Sequence, residues 1–259
     1  MKKSLSVLSL LFGLFVCVTV FSACGGDDEP SSGGNNGSSN NNQTPSNPQS
    51  TKHIVKIITE RGNTFIESSL FYDSQGRVRK IIKTKTAGTG ENSYSETEYQ
   101  YDEMFIVSKM KKDGETHSYT LENGLIVKDE EKGSNSSTTR TFSYDVNKYL
   151  SSISRSGSDM DSDTKTIIWS DGNLTKVGDR TYSYTNYSWS KGFPLYLESV
   201  DVDEFLFANG YFGNIPKNLP ETYHSNSSVE FVYSLEDNYV TKTILFYSGK
   251  TQTMTYIWE

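Results

Sequence analysis

The chain has 259 residues, 34% of them hydrophobic and 13% aromatic, with 17 tyrosines and two cysteines. Its formal net charge of −7 repels phosphate backbones, which argues against nucleic acid as a partner. Of the two cysteines, Cys17 lies within the first apolar run, so a disulfide framework is excluded and an exported domain must be held by its own core.

Met1-Lys2-Lys3 and the apolar run from Leu5 to Phe21 have the order of a secretory signal peptide, predicted over residues 1–23. The run is interrupted by Ser9, Gly13 and Thr19 and falls short of the ~20 apolar residues that a bilayer core requires. Phe21-Ser22-Ala23-Cys24-Gly25 resembles the bacterial lipobox, apart from Phe21 where leucine is usual, and this makes Cys24 the expected lipid attachment site. The several acyl chains of such a cysteine hold a protein to the membrane without spanning it. Asp27-Asp28-Glu29 follows, at the place where lipoproteins of the Bacteroidota carry a signal for surface display. Residues 24–51 are otherwise Ser, Gly, Asn, Gln and Pro, so they cannot bury enough apolar surface to offset ordering and read as a flexible tether. Its random-coil reach is about 25 to 30 Å.

Residues 52–259 form the expected folded domain, where β-branched and aromatic residues alternate with polar ones. A unit of the form aromatic-x-Tyr-Asp-x-x-Gly-x-Val-x-x-Ile is clearest at Phe71-Tyr72-Asp73-Ser74-Gln75-Gly76-Arg77-Val78. Weaker copies begin at Tyr99, Tyr119, Phe142, Ile167 and Phe231. Alternating residues make half-buried strands, and Asp, Asn and Gly supply the positive φ of tight hairpins. Chained hairpins predict an all-β antiparallel meander that closes into a soluble barrel or curves strongly. Residues 186–226 break the repeat. Within them, 201–210 predicts a short helix with Asp201 as N-cap, Glu204 in a capping box and Gly210 as C-cap, covering the open end or concave face of the sheet.

The "YDSQGRV" and "FSYDVNKYLSSI" units, followed by the break that ends in Pro216-Lys217-Asn218-Leu219-Pro220, resemble a family of uncharacterised gut Bacteroidota lipoproteins, a domain of unknown function with a porin-like fold. The resemblance implies an outer-membrane lipoprotein and brings no activity or site residue with it. A lipid-facing barrel needs an apolar outer face, whereas segments such as Val78-Arg79-Lys80-Ile81-Ile82-Lys83 put charge on one face, so a water-facing barrel is expected.

Reactive constellations are missing from the sequence. His53, His117 and His224 stand far apart and lack metal-ligand spacing, and Asp159-Met160-Asp161-Ser162-Asp163 lacks the Gly and Glu of a calcium loop, so no metal or cofactor is expected. There is no Gly-x-Ser-x-Gly elbow and no phosphate-binding Gly-rich loop opening a helix. Aromatic residues in the irregular segment, Tyr187, Trp189, Tyr196 and Tyr211, are the candidate binding patch, because exposed rings stack on sugars and anchor interfaces. The repeat tyrosines are expected to pack. The reading that follows is a non-enzymatic, surface-exposed outer-membrane lipoprotein that binds glycan or an envelope protein. Its rival is a periplasm-facing scaffold or carrier of a lipophilic ligand beneath the 201–210 helix.

Overall fold

The computed structural model describes residues 52–111, 114–158, 160–195, 197, 200–225 and 228–259. The expected signal peptide, Cys24, the tether and Tyr196 lie outside the described residues. Sixteen strands run in chain order: β1 (Ile54–Arg61), β2 (Thr64–Tyr72), β3 (Val78–Thr86), β4 (Asn92–Tyr101), β5 (Phe105–Met110), β6 (Thr116–Glu122), β7 (Leu125–Lys132) and β8 (Ser137–Tyr144). They continue as β9 (Leu150–Gly157), β10 (Met160–Ser170), β11 (Asn173–Val177), β12 (Arg180–Ser188), β13 (Asn218–His224), β14 (Ser228–Glu236), β15 (Tyr239–Tyr247) and β16 (Lys250–Trp258). Each pairs antiparallel with its sequence neighbour, and β1 pairs with β16 to close the barrel. Of the two expected outcomes, a curved sheet and a barrel, the barrel is the one formed. Closure leaves no unpaired edge strand.

Alternation sorts the two faces. Inward residues such as Ile57, Leu70, Ile81, Tyr99, Phe142 and Tyr256 are buried. Outward residues carry charge: Lys80 and Lys111 both meet Glu96, Lys111 also meets Glu98, and Lys56 and Lys128 pair with Glu67 and Glu130. Each cation of this kind at the centre of a bilayer would cost about 2–4 kcal/mol, so the outer face is built for water.

Sixteen-stranded porins enclose an aqueous channel. Here the chain between β12 and β13 fills the lumen. Phe193, Leu206 and Phe212 are at most 1% exposed. Phe193 packs edge-on against Tyr256 of β16, while Phe212 packs against Phe142 of β8 and Tyr119 of β6, on the far side of the barrel. A segment that touches opposite walls lies between them.

The helix in this plug is shorter than the sequence suggests. α1 spans Glu204–Ala208, and its N-cap is Asp203, whose Oδ1 accepts from the Phe205 and Leu206 N–H groups. Asp201 does not cap it. Its φ of +54° places it in a turn, and its carboxylate faces Arg140 instead. Asn209 is the C-cap, with Gly210 following at φ +85°. Of the two places expected for the helix, the open end and the concave face of the sheet, it takes the concave face, with Phe205, Leu206, Phe207 and Ala208 buried inside the barrel.

Candidate functional site

The repeat unit is explained by a hydrogen bond that recurs across seven of the eight hairpins. At the end of β2, the Tyr72 hydroxyl donates to the Ile54 carbonyl of β1. Tyr101, Tyr144, Tyr184 and Tyr233 do the same to Val78, Ile126, Leu174 and Pro220, and the Trp169 and Trp258 indoles to Leu150 and Val240, all at 2.5–2.8 Å. Of the eight hairpins, β5–β6 departs, with Leu121 at the equivalent place. These rings are latches that satisfy strand-end carbonyls. The aspartate after the tyrosine closes the next turn: Asp73 Oδ1 accepts from the Gln75 and Arg77 N–H groups, and Asp145 Oδ1 from those of Asn147 and Tyr149. The expectation that the repeat tyrosines serve packing agrees with this geometry.

The latches and their turns gather at one rim, together with both ends of the domain. There the wall rises above the plug and encloses an open cleft of about 1110 Å³. One side is the β2–β3 turn, with Gln75 and Arg77; the other is the β14–β15 turn, with Asp237, Asn238 and Tyr239. Lys52, His53 and Trp258 close the back, Tyr187 near the end of β12 belongs to the wall, and Lys191, Asn209 and Tyr211 of the plug form the floor.

Several of these side chains are pre-positioned. His53 stacks on Tyr72 at 4.6 Å, and Lys52 lies over the Tyr239 ring at 5.1 Å. Arg77 lies 4.3 Å over Tyr101 while its Nε and Nη2 bind Asp73 Oδ2, both at 2.7 Å. Slight burial opposes ionisation of Asp73, but the Arg77 and Gln75 N–H groups and the guanidinium hold its carboxyl below the usual range. Burial raises the Tyr211 phenol, and Arg77 partly offsets this. Lys191 is exposed and has no ion-pair partner among the described residues.

Of the four aromatic residues singled out in the sequence, two line this cleft: Tyr187, 49% exposed, and Tyr211, which stacks on Tyr101. Trp189 is a correction. It is buried, its indole N–H bonds the Phe193 carbonyl, and it meets Phe207 edge-on, so it belongs to the plug's core. Tyr196 lies outside the described residues. Sequence reasoning missed Lys52, Arg77, Lys191 and Tyr239. Part of a signal was present, since in a meander every second turn returns to the same rim as the chain ends.

Deeper in the lumen an ionic lock joins plug to wall. Arg140 of β8 reaches Asp129 at 3.0 Å, Glu131 at 2.8 Å and Asp201 of the plug at 3.3 Å. The Tyr99 hydroxyl donates to Asp203 at 2.7 Å. His117 lies 3.0 Å from Asp129 and 3.2 Å from Glu115; burial pushes its pKa down, but these carboxylates outweigh burial and raise it to about 9. Glu204 is raised by burial, with Lys83 opposing, beside a chamber of about 120 Å³ shared with His117 and Asp203. Among the described residues no group of three or more metal-ligating side chains converges.

The architecture defines a self-plugged β-barrel with a charged outer face and a polar, aromatic cleft at one rim. The chain belongs to the family described as a domain of unknown function (DUF4595) with porin-like fold, which it matches over residues 70–248. Among solved structures it is similar to a porin-like protein from Bacteroides uniformis ATCC 8492, with a TM-score of 0.62 and 19% identity over 80% of this chain and 96% of that one. It is also similar to a porin-like protein from Bacteroides vulgatus ATCC 8482, with a TM-score of 0.56 and 14% identity over 80% and 99%. At these identities the likeness establishes the fold. Comparison with curated proteins finds no match.

Proposed function

We propose that the chain is a lipid-anchored protein of the outer membrane, displayed at the cell surface through Cys24, and that its rim cleft binds glycan or protein without chemical conversion. The cleft itself carries the reading. Its walls combine the rings of Tyr187, Tyr211, Tyr239 and Trp258 with the amides of Gln75, Asn209 and Asn238. Rings that stack and amides that exchange hydrogen bonds suit a polar ligand with flat apolar faces. Asp237 is its single carboxylate among the described residues, whereas glycoside cleavage ordinarily requires a pair. Two observations weigh against the carrier reading: Phe193, Leu206 and Phe212 occupy the lumen, and the chamber beside α1, about 120 Å³, is lined by Lys83, Glu115, His117, Asp203 and Glu204, which suits a lipophilic ligand poorly.

Three experiments bear on this. Cys24→Ala should abolish incorporation of labelled fatty acid. Protease should digest the domain on intact cells, with a periplasmic protein protected as control; protection of the domain would move the proposal to the periplasm. A glycan and envelope-protein array should report a ligand whose binding Tyr187→Ala weakens about five- to tenfold, and an array uniformly negative with wild-type protein would overturn the binding role.

A further inference from the structure

We propose that the ligand of the rim cleft is an acidic carbohydrate, one bearing carboxylate or sulfate groups; this deepens the binding reading above and rests on it. The overall charge of the chain is −7, yet Lys52, Arg77 and Lys191 all line the cleft; with Arg77 matched by Asp73, the two lysines face the carboxylate of Asp237, the one carboxylate among the described lining residues. The three cations enter from three separate elements, the start of the domain, the β2–β3 turn and the plug, so their convergence results from the tertiary fold.

Their roles differ. Arg77 is held face-on to Tyr101 and edge-on to Asp73, which fixes it in the wall with much of its charge already matched. Lys52 lies over Tyr239. Lys191 is exposed, lines the same cleft as Tyr187 and has no ion-pair partner among the described residues, which leaves its ammonium group to meet an incoming anion. A cation and an exposed ring in one cleft match a sugar that presents a flat C–H face together with an acidic substituent. Uncharged sugars would use the rings and leave Lys191 solvated. A free anion would use the lysines and leave the rings bare.

The test uses the full-length chain in detergent, titrated by calorimetry with tetragalacturonate, a chondroitin sulfate tetrasaccharide and, as neutral reference, cellotetraose. Binding of an acidic sugar is expected, falling about fivefold with Lys191→Ala and again with Lys52→Ala, and weakening from 50 to 300 mM NaCl. The two acidic probes distinguish carboxylate from sulfate. Tyr187→Ala should weaken the same sugar, while inorganic sulfate should not compete at equal concentration. If cellotetraose binds as tightly and the lysine variants change nothing, the acidic preference is overturned while carbohydrate binding stands. If an array identifies a protein ligand and no sugar binds, the carbohydrate assignment falls. Failure of every sugar and every array ligand would remove the underlying reading as well.

Discussion

In the wall, one device recurs in seven of the eight hairpins: an inward Tyr or Trp bonds a strand-end carbonyl. Among the described residues of the plug no such device repeats, and single residues hold unique positions. Gly213 is the clearest case. A Cβ there would lie 2.2 Å from the Lys148 carbonyl oxygen, at φ +87°, while the neighbouring Asn214 N–H bonds that same carbonyl. Redundancy in the wall and singularity in the plug lead to different tolerances. A latch is one of several similar contacts, whereas a plug residue has no substitute.

This contrast can be broken at the plug first. Gly213→Val should be the most damaging change, destabilising by about 4 kcal/mol or more, because backbone and φ conflict together; urea denaturation would register it as a lower midpoint or loss of the folded state. Phe212→Ala, which removes a fully buried ring from between Phe142 and Tyr119, should cost about 3–5 kcal/mol in the same measurement. Arg140→Ala should cost about 3 kcal/mol by leaving Glu131 without its cation and Asp129 with His117 alone inside the barrel.

A finer test concerns pH. Because the folded-state pKa of His117 is raised to about 9, its contribution to stability is fully present below the unfolded value of about 6.5 and is lost as pH rises through about 9. Wild-type melting temperature should therefore fall over that window, and His117→Gln should flatten the fall. If the slope is unchanged in the variant, the lock draws its alkaline sensitivity from elsewhere. The smallest effect belongs to the wall: Tyr144→Phe deletes one latch bond to Ile126 and should cost about 1 kcal/mol. A loss as large as that of Phe212→Ala would mean that the latches are not interchangeable and would remove the distinction between the two regions.

The repeat carried most of the fold in readable form. Tyr72-Asp73 and Tyr144-Asp145 mark strand end and turn because the hydroxyl and the carboxylate each satisfy local backbone groups, and local bonds leave their trace in adjacent letters. The meander and the charged outer face follow from the same two-residue period. The site was only half legible. Tyr187 and Tyr211 were recognisable by chemistry and segment, but Trp189 could not be told from them, since an indole in an irregular stretch reads alike whether buried or exposed.

What the sequence by itself determined was the set of hairpins, the polarity of their two faces and the presence of a segment that does not join them. What the tertiary structure decided was closure, the inward fold of that segment and the meeting of Lys52, Arg77 and Lys191 at one rim. Strand alternation and turn chemistry are short-range, so they are written locally. Closure depends on pairing β1 with β16, some 200 residues apart, and on enough apolar volume in Phe193, Leu206 and Phe212 to fill what it encloses; neither can be read from any window of the chain.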